Sequence, residues 1–183
     1  MNRFIFLIII LTSTNSFSQK SIKLTKKIEL SEDFVSDFYK VPNSILFYYG
    51  GHSEFSTYYK SLSKRIKKQL KKTKLNSKQI IELNEENDLS VESFEEINIK
   101  FNNKDYESVC VFFQGEMLPM KVHKSKDPFK REINYSLYMM LIESGSNKIL
   151  LKKKFKVASK YTMLTENKSL SRAIVDELKL FKK

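Results

Sequence analysis

Ser44-Ile45-Leu46-Phe47-Tyr48-Tyr49-Gly50-Gly51-His52-Ser53 decides the fold class. Its apolar run is compact, ends at two glycines and reads as a strand buried on both faces. Ser53 then stands where a helix cap belongs. Phe55, Tyr58, Tyr59, Leu62, Ile66 and Leu70 recur at three- and four-residue intervals, the clearest helical pattern in the chain. Ile80 and Ile81 centre a further short strand over 78–83. Two strands joined by a helix usually lie parallel, so this segment predicts a parallel crossover unit.

Working outward, Val109-Cys110-Val111-Phe112-Phe113 reads as a central strand. Gly115 to Pro128, with Pro119, Met117, Met120 and several lysines, reads as the longest loop. A hairpin follows. Ile133, Tyr135, Leu137, Met139 and Leu141 alternate along one strand, Ser144-Gly145-Ser146-Asn147 turns, and Ile149, Leu151, Phe155 and Val157 line the return. Lys152, Lys154 and Lys156 occupy the opposite face of that return strand. Thr165 is a candidate cap for a last helix that faces Leu170, Ala173, Ile174, Leu178 and Phe181 inward.

On the N-terminal side, 20–27 is basic and loosely alternating, a tail or an edge strand. Ser31-Glu32-Asp33 resembles a helix start, with Phe34, Val35 and Phe38 as an apolar face and Pro42 as the stop. A second short helix is expected after Ser90, with Val91, Phe94 and Ile97 inward. No internal repeat or linker stands out. The expectation is an α/β (α+β) fold: one mixed sheet of about five strands with helices packed against it, the hairpin near the C-terminus followed by a helix.

The first 18 residues carry an address. Arg3 precedes an unbroken apolar run from Phe4 to Leu11, and the stretch ends Ser16-Phe17-Ser18-Gln19. That layout is a secretory signal, with cleavage expected after Ser18. A spanning helix needs about 20 apolar residues, so no permanent span is expected here or later. No Cys lies near the cleavage point to carry a lipid. The expected organisation is a signal peptide over 1–18, an N-terminal segment with a short helix over 19–43, and an α/β domain over 44–183. Periplasmic or secreted localisation follows. Cys110 is the single cysteine, so no intrachain disulfide is possible and stability must come from packing.

Val41-Pro42-Asn43-Ser44-Ile45-Leu46-Phe47, the segment Tyr58-Tyr59-Lys60-Ser61-Leu62 and the hairpin from Tyr135 to Leu150 together resemble the small α/β domain of exported bacterial envelope proteins. The type includes the amino-terminal domain of TolB, CsgG and LpoB. The resemblance covers roughly residues 41 to 182. It implies a binding or assembly module and supplies no catalytic residues.

Two surfaces stand out. Lys60, Lys64, Arg65, Lys67, Lys68, Lys71, Lys72 and Lys74 crowd the first helix and its end with no acid among them, in a chain of net charge +12. Cations near a helix C-terminus interact favourably with its dipole, which accounts for part of the clustering. The remainder suits an anionic envelope component or an acidic envelope protein. Export takes nucleic acid off the list of expected partners. The acidic stretch from Glu82 to Glu96 offers internal neutralisation as the simpler account. The second surface is Gly50, Gly51, His52 and Ser53, a candidate anion-binding corner between strand and helix.

Other chemistry finds little support. His52 and His123 are the only histidines, and no pair has metal-ligand spacing, so neither a metal nor a cofactor is expected. Cys110 in an apolar strand behaves as a small hydrophobe. No Gly-x-Ser-x-Gly elbow exists. The expected function is a non-catalytic binding or assembly module of the envelope. The alternative is a small exported enzyme built on the Gly50–Ser53 corner and the 115–128 loop.

Overall fold

A computed structural model describes residues 21–85, 105–122 and 131–180. The signal sequence, the helix expected after Ser90, most of the acidic stretch, residues 123–128 of the expected loop, and Phe181 lie outside them. Seven strands form one sheet: β1 (Ile22–Lys23), β2 (Ile28–Val35), β3 (Ser44–His52), β4 (Asn76–Asn84), β5 (Ser108–Val122), β6 (Arg131–Glu143) and β7 (Ile149–Lys160). Their order is β1-β2-β7-β6-β5-β3-β4. The helices are α1 (Ser56–Leu70) and α2 (Asn167–Glu177).

The crossover and the hairpin stand as expected. β3 and β4 run parallel in unbroken register from Ser44↔Asn76 to His52↔Asn84. β3 also pairs parallel with β5, while β6 lies antiparallel to both β5 and β7. Because β3 is interior, its apolar run fills two cores. Ile45, Phe47 and Tyr49 join the α1 residues Tyr58, Tyr59, Leu62, Ile66 and Leu70 and the α2 residues Leu170 and Ile174 on one face. Leu46 and Tyr48 join Val109, Val111, Phe113, Tyr138, Met140 and Ile142 on the other. Within the first core the Tyr49 and Phe112 rings stack at 5.0 Å between centroids.

Three expectations are corrected. The sheet has seven strands, not about five, because β2, read as a helix start, and the two-residue edge strand β1 join the five expected ones. Ser31-Glu32-Asp33 does not start a helix: 28–35 is β2, antiparallel to β7, and so joins the N-terminal segment to the same sheet. The acids that mimic a first helical turn are cross-strand partners of lysines, Glu32 opposite Lys154 and Asp33 opposite Lys153. A bulge between Leu30 and Glu32 accommodates Ser31, whose Oγ donates to the Lys154 carbonyl at 3.2 Å.

The Gly115–Pro128 segment is not loop throughout, since β5 continues to Val122. Its register with β6 shifts between Gln114 and Met117 and again between Leu118 and Lys121. Beyond Phe112, β5 pairs with β6 alone among the described residues. Pro119 thus sits at a bulge on an edge, where a missing N–H costs little. Gly115 has its own requirement: a Cβ there would lie 2.3 Å from the Tyr138 ring, which stacks on Phe113.

The caps also differ. The His52 ring, not Ser53, caps the first turn, accepting from the Glu54 N–H at 3.3 Å. Residues Ser53–Phe55 form a short 3-10 turn before α1. Thr165 lies before α2 and donates to the Lys160 carbonyl instead of capping it.

Candidate functional site

α1 buries Tyr58, Tyr59, Leu62, Ile66 and Leu70 against the sheet and α2. The spacing that buries these residues turns the cations outward. Lys60, Lys64, Arg65, Lys67, Lys68, Lys71, Lys72 and Lys74 are all exposed. Lys60, Lys64, Lys67, Lys68 and Lys71 fall within one narrow arc of the helix, as a 3.6-residue period requires. None of the eight takes part in an ion pair with a described residue. Glu82, the first acid of the acidic stretch, accepts instead from the Tyr48 hydroxyl on the far face of the sheet at 3.1 Å.

Four lysines elsewhere among the described residues are ion-paired. Lys27 pairs with Glu166, and Lys152 and Lys154 both reach Glu32, at 3.7 and 3.9 Å. Lys153 is 2% exposed and lies between Asp33 and Glu177, the latter at 3.0 Å, tying β2, β7 and α2 together. It is the one inward lysine of β7, and the sequence reading passed over it. Its signal was present: it falls between Leu151 and Phe155, on the apolar side of the alternation.

The Gly50–Ser53 corner closes the opposite end of β3 from Ser44. Gly51 has φ +137° and lies near the Tyr59 hydroxyl, so a side chain there is strained. The Glu54 amide is already taken by His52 Nδ1, and the Glu54 carboxylate lies 3.8 Å from that same nitrogen. A negative charge therefore already stands at the corner. The buried groups behind it are phenols and a thiol. Burial pushes Tyr49, Tyr58 and Tyr59 upward, away from ionisation, and raises Cys110 in the same way. None of these is a poised nucleophile or base at neutral pH.

No family model and no curated protein matches the sequence. Solved structures do match the fold. A PelC dodecamer from Paraburkholderia phytofirmans superposes with a TM-score of 0.52 at 8% identity, covering 85% of this chain and 99% of that one. A variant of that dodecamer in another crystal form gives 0.51 at 8% identity, covering 83% and 98%. The lipoprotein GNA1162 from Neisseria meningitidis gives 0.44 at 12% identity, covering 75% and 99%. The chain shares the fold of PelC. At these identities the likeness concerns the fold and carries no residue across. No helix among the described residues is long and apolar enough to cross a membrane.

Proposed function

We propose that the protein is an exported, non-catalytic binding or assembly module of the bacterial envelope, whose α1 face holds an anionic envelope component or an acidic envelope protein. The observation that carries this is the α1 face itself: eight exposed cations without an ion-paired partner among the described residues. Such a field raises the local concentration of anions and weakens steeply with salt. The secretory layout of residues 1–18 and the resemblance to the TolB, CsgG and LpoB type of domain support an envelope setting. The fold is shared with PelC, which forms a dodecamer. Assembly of this chain into an oligomer is an extension of the same proposal.

The test is binding of a soluble sulfated polysaccharide, used as an anionic probe, at low and moderate salt. The expected result is binding at low salt that disappears in moderate salt. Replacing Lys60, Lys64, Lys67 and Lys68 together by Gln is expected to abolish it while leaving the circular dichroism unchanged. Equal binding by wild type and the quadruple variant removes α1 as the surface.

A further inference from the structure

Strand directions bring several surface features to one pole. β2 and β6 end there, and β3, β4, β5 and β7 begin there. Both helices end there too. The Asn76 N–H at the start of β4 donates to the Asn43 carbonyl at 3.0 Å, and the Tyr39 hydroxyl donates to the Leu178 carbonyl at 2.6 Å. The 36–43 connection therefore runs across this pole from β2 to β3.

Large exposed apolar side chains concentrate here. Phe34, Val35, Phe38, Val41 and Ile149 belong to the pole, with Phe34 49% and Phe38 69% exposed. Cations interleave with them. The Lys148 ammonium lies 3.4 Å from the Phe38 ring centroid, and the Lys179 ammonium 5.9 Å from that of Tyr39. Beside them is a groove of about 490 Å³, whose walls include Val41, Pro42, Leu75 and Leu180 together with Lys72 and Lys74. Asn43, which also lines the groove, engages Glu107 through both its backbone and side-chain N–H groups, at 2.8 and 3.0 Å.

A free anion would leave the apolar walls wet, and a neutral apolar ligand would leave two cations unmatched. An anionic amphiphile meets both. The groove near the other pole, of about 480 Å³, contrasts with it: its lysines Lys23, Lys26, Lys27 and Lys156 share the lining with Glu29 and Glu132. Exposed aromatic and aliphatic side chains ringed by lysines are the signature of a surface that lies on an anionic bilayer.

We propose that this pole seats on a membrane carrying anionic lipid, with a lipid headgroup held by Lys72 and Lys74 and with Phe34 and Phe38 entering the acyl boundary. This deepens the proposed function and rests on it for the sign of the charge. The chain contains no tryptophan, so Phe38→Trp gives a single local reporter. Tyr161→Trp, just past the end of β7, reports on the opposite pole; both sites are exposed and circular dichroism checks that the fold is kept.

The full chain is mixed with vesicles of phosphatidylglycerol and phosphatidylcholine containing brominated lipid. The expected result is blue-shifted, quenched emission at position 38 and unchanged emission at 161. Lys72→Gln with Lys74→Gln is expected to weaken partitioning about tenfold or more at low salt. Unchanged emission at 38, or equal quenching at both positions, overturns the proposal. Binding of the soluble polysaccharide without quenching at 38 leaves the α1 surface standing and removes the lipid surface. Quenching at 38 alone, without polysaccharide binding, supports the lipid surface and removes α1.

Discussion

Lys153 is the residue on which the packing of three elements converges. Its ammonium is buried between Asp33 and Glu177, and removing it leaves two carboxylates facing each other at the edge of the first core. Breaking a buried pair from one side costs roughly 3–5 kcal/mol. Asp33 is partly exposed, so the lower end applies: Lys153→Ala is expected to lose about 3 kcal/mol in urea unfolding. A loss below about 0.5 kcal/mol, the level of an ordinary surface substitution, would show that the triad contributes nothing. Glu107 gives a pH-dependent counterpart. The Asn43 side-chain and backbone N–H groups hold its carboxyl below the ordinary range. Its folded pKa is therefore depressed, and its contribution to stability is present above the unfolded pKa and fades as pH falls through the folded value. Carboxyl NMR titration is expected to place Glu107 below an ordinary glutamate, and Asn43→Ala to move it back upward. No movement in Asn43→Ala would assign the shift elsewhere. At this scale the sequence was half legible. Cys110 was correctly read as a buried thiol, while Lys153 was missed because lysine is counted as a surface residue by default.

At the scale of elements, periodicity worked where one element buries one stripe. α1 has the face the spacing predicts, since Tyr58, Tyr59, Leu62, Ile66 and Leu70 are all buried. Leu62→Ala is accordingly expected to cost about 2–5 kcal/mol. Lys64→Ala, two residues on and on the solvent side, is expected to stay within about 0.5 kcal/mol. Thermal unfolding of the two variants checks the contrast, and a similar loss in both would contradict the burial. Periodicity failed at β2 and at the second half of β5. Ser31-Glu32-Asp33 carries a helix-start signature, yet the lysines of β7, more than a hundred residues away, offer those acids opposite charges across a ladder. Pro119 and Gly115 read as loop, yet bulges and an unshared edge let both sit in a strand. In each case a long-range pairing outweighed a local preference, which is the ordinary weakness of short-range reading for β-structure.

For the whole molecule, the central strands decide how it opens. Cys110 lies in β5 with β3 on one side and β6 on the other, fully buried. Labelling of this single thiol by a colourless disulfide reagent is expected to proceed only as fast as global unfolding, because local fraying does not reach it. Fast labelling of the folded protein would show a looser centre than the packing indicates. The two-helix layer leaves α1 with its cations outward, and the strand directions set a basic, partly apolar pole against a corner that already holds Glu54. The sequence by itself determined the crossover, the hairpin, both described helices, the thiol's burial and the basic character of α1. Those follow from local period and from charge along a single helix. Only the tertiary structure decided the seven-strand order, the β2 pairing, the Lys153 triad and the gathering of Phe34, Phe38, Val41 and Lys72 at one pole. These depend on contacts between segments far apart in the chain, whose partners no local pattern specifies.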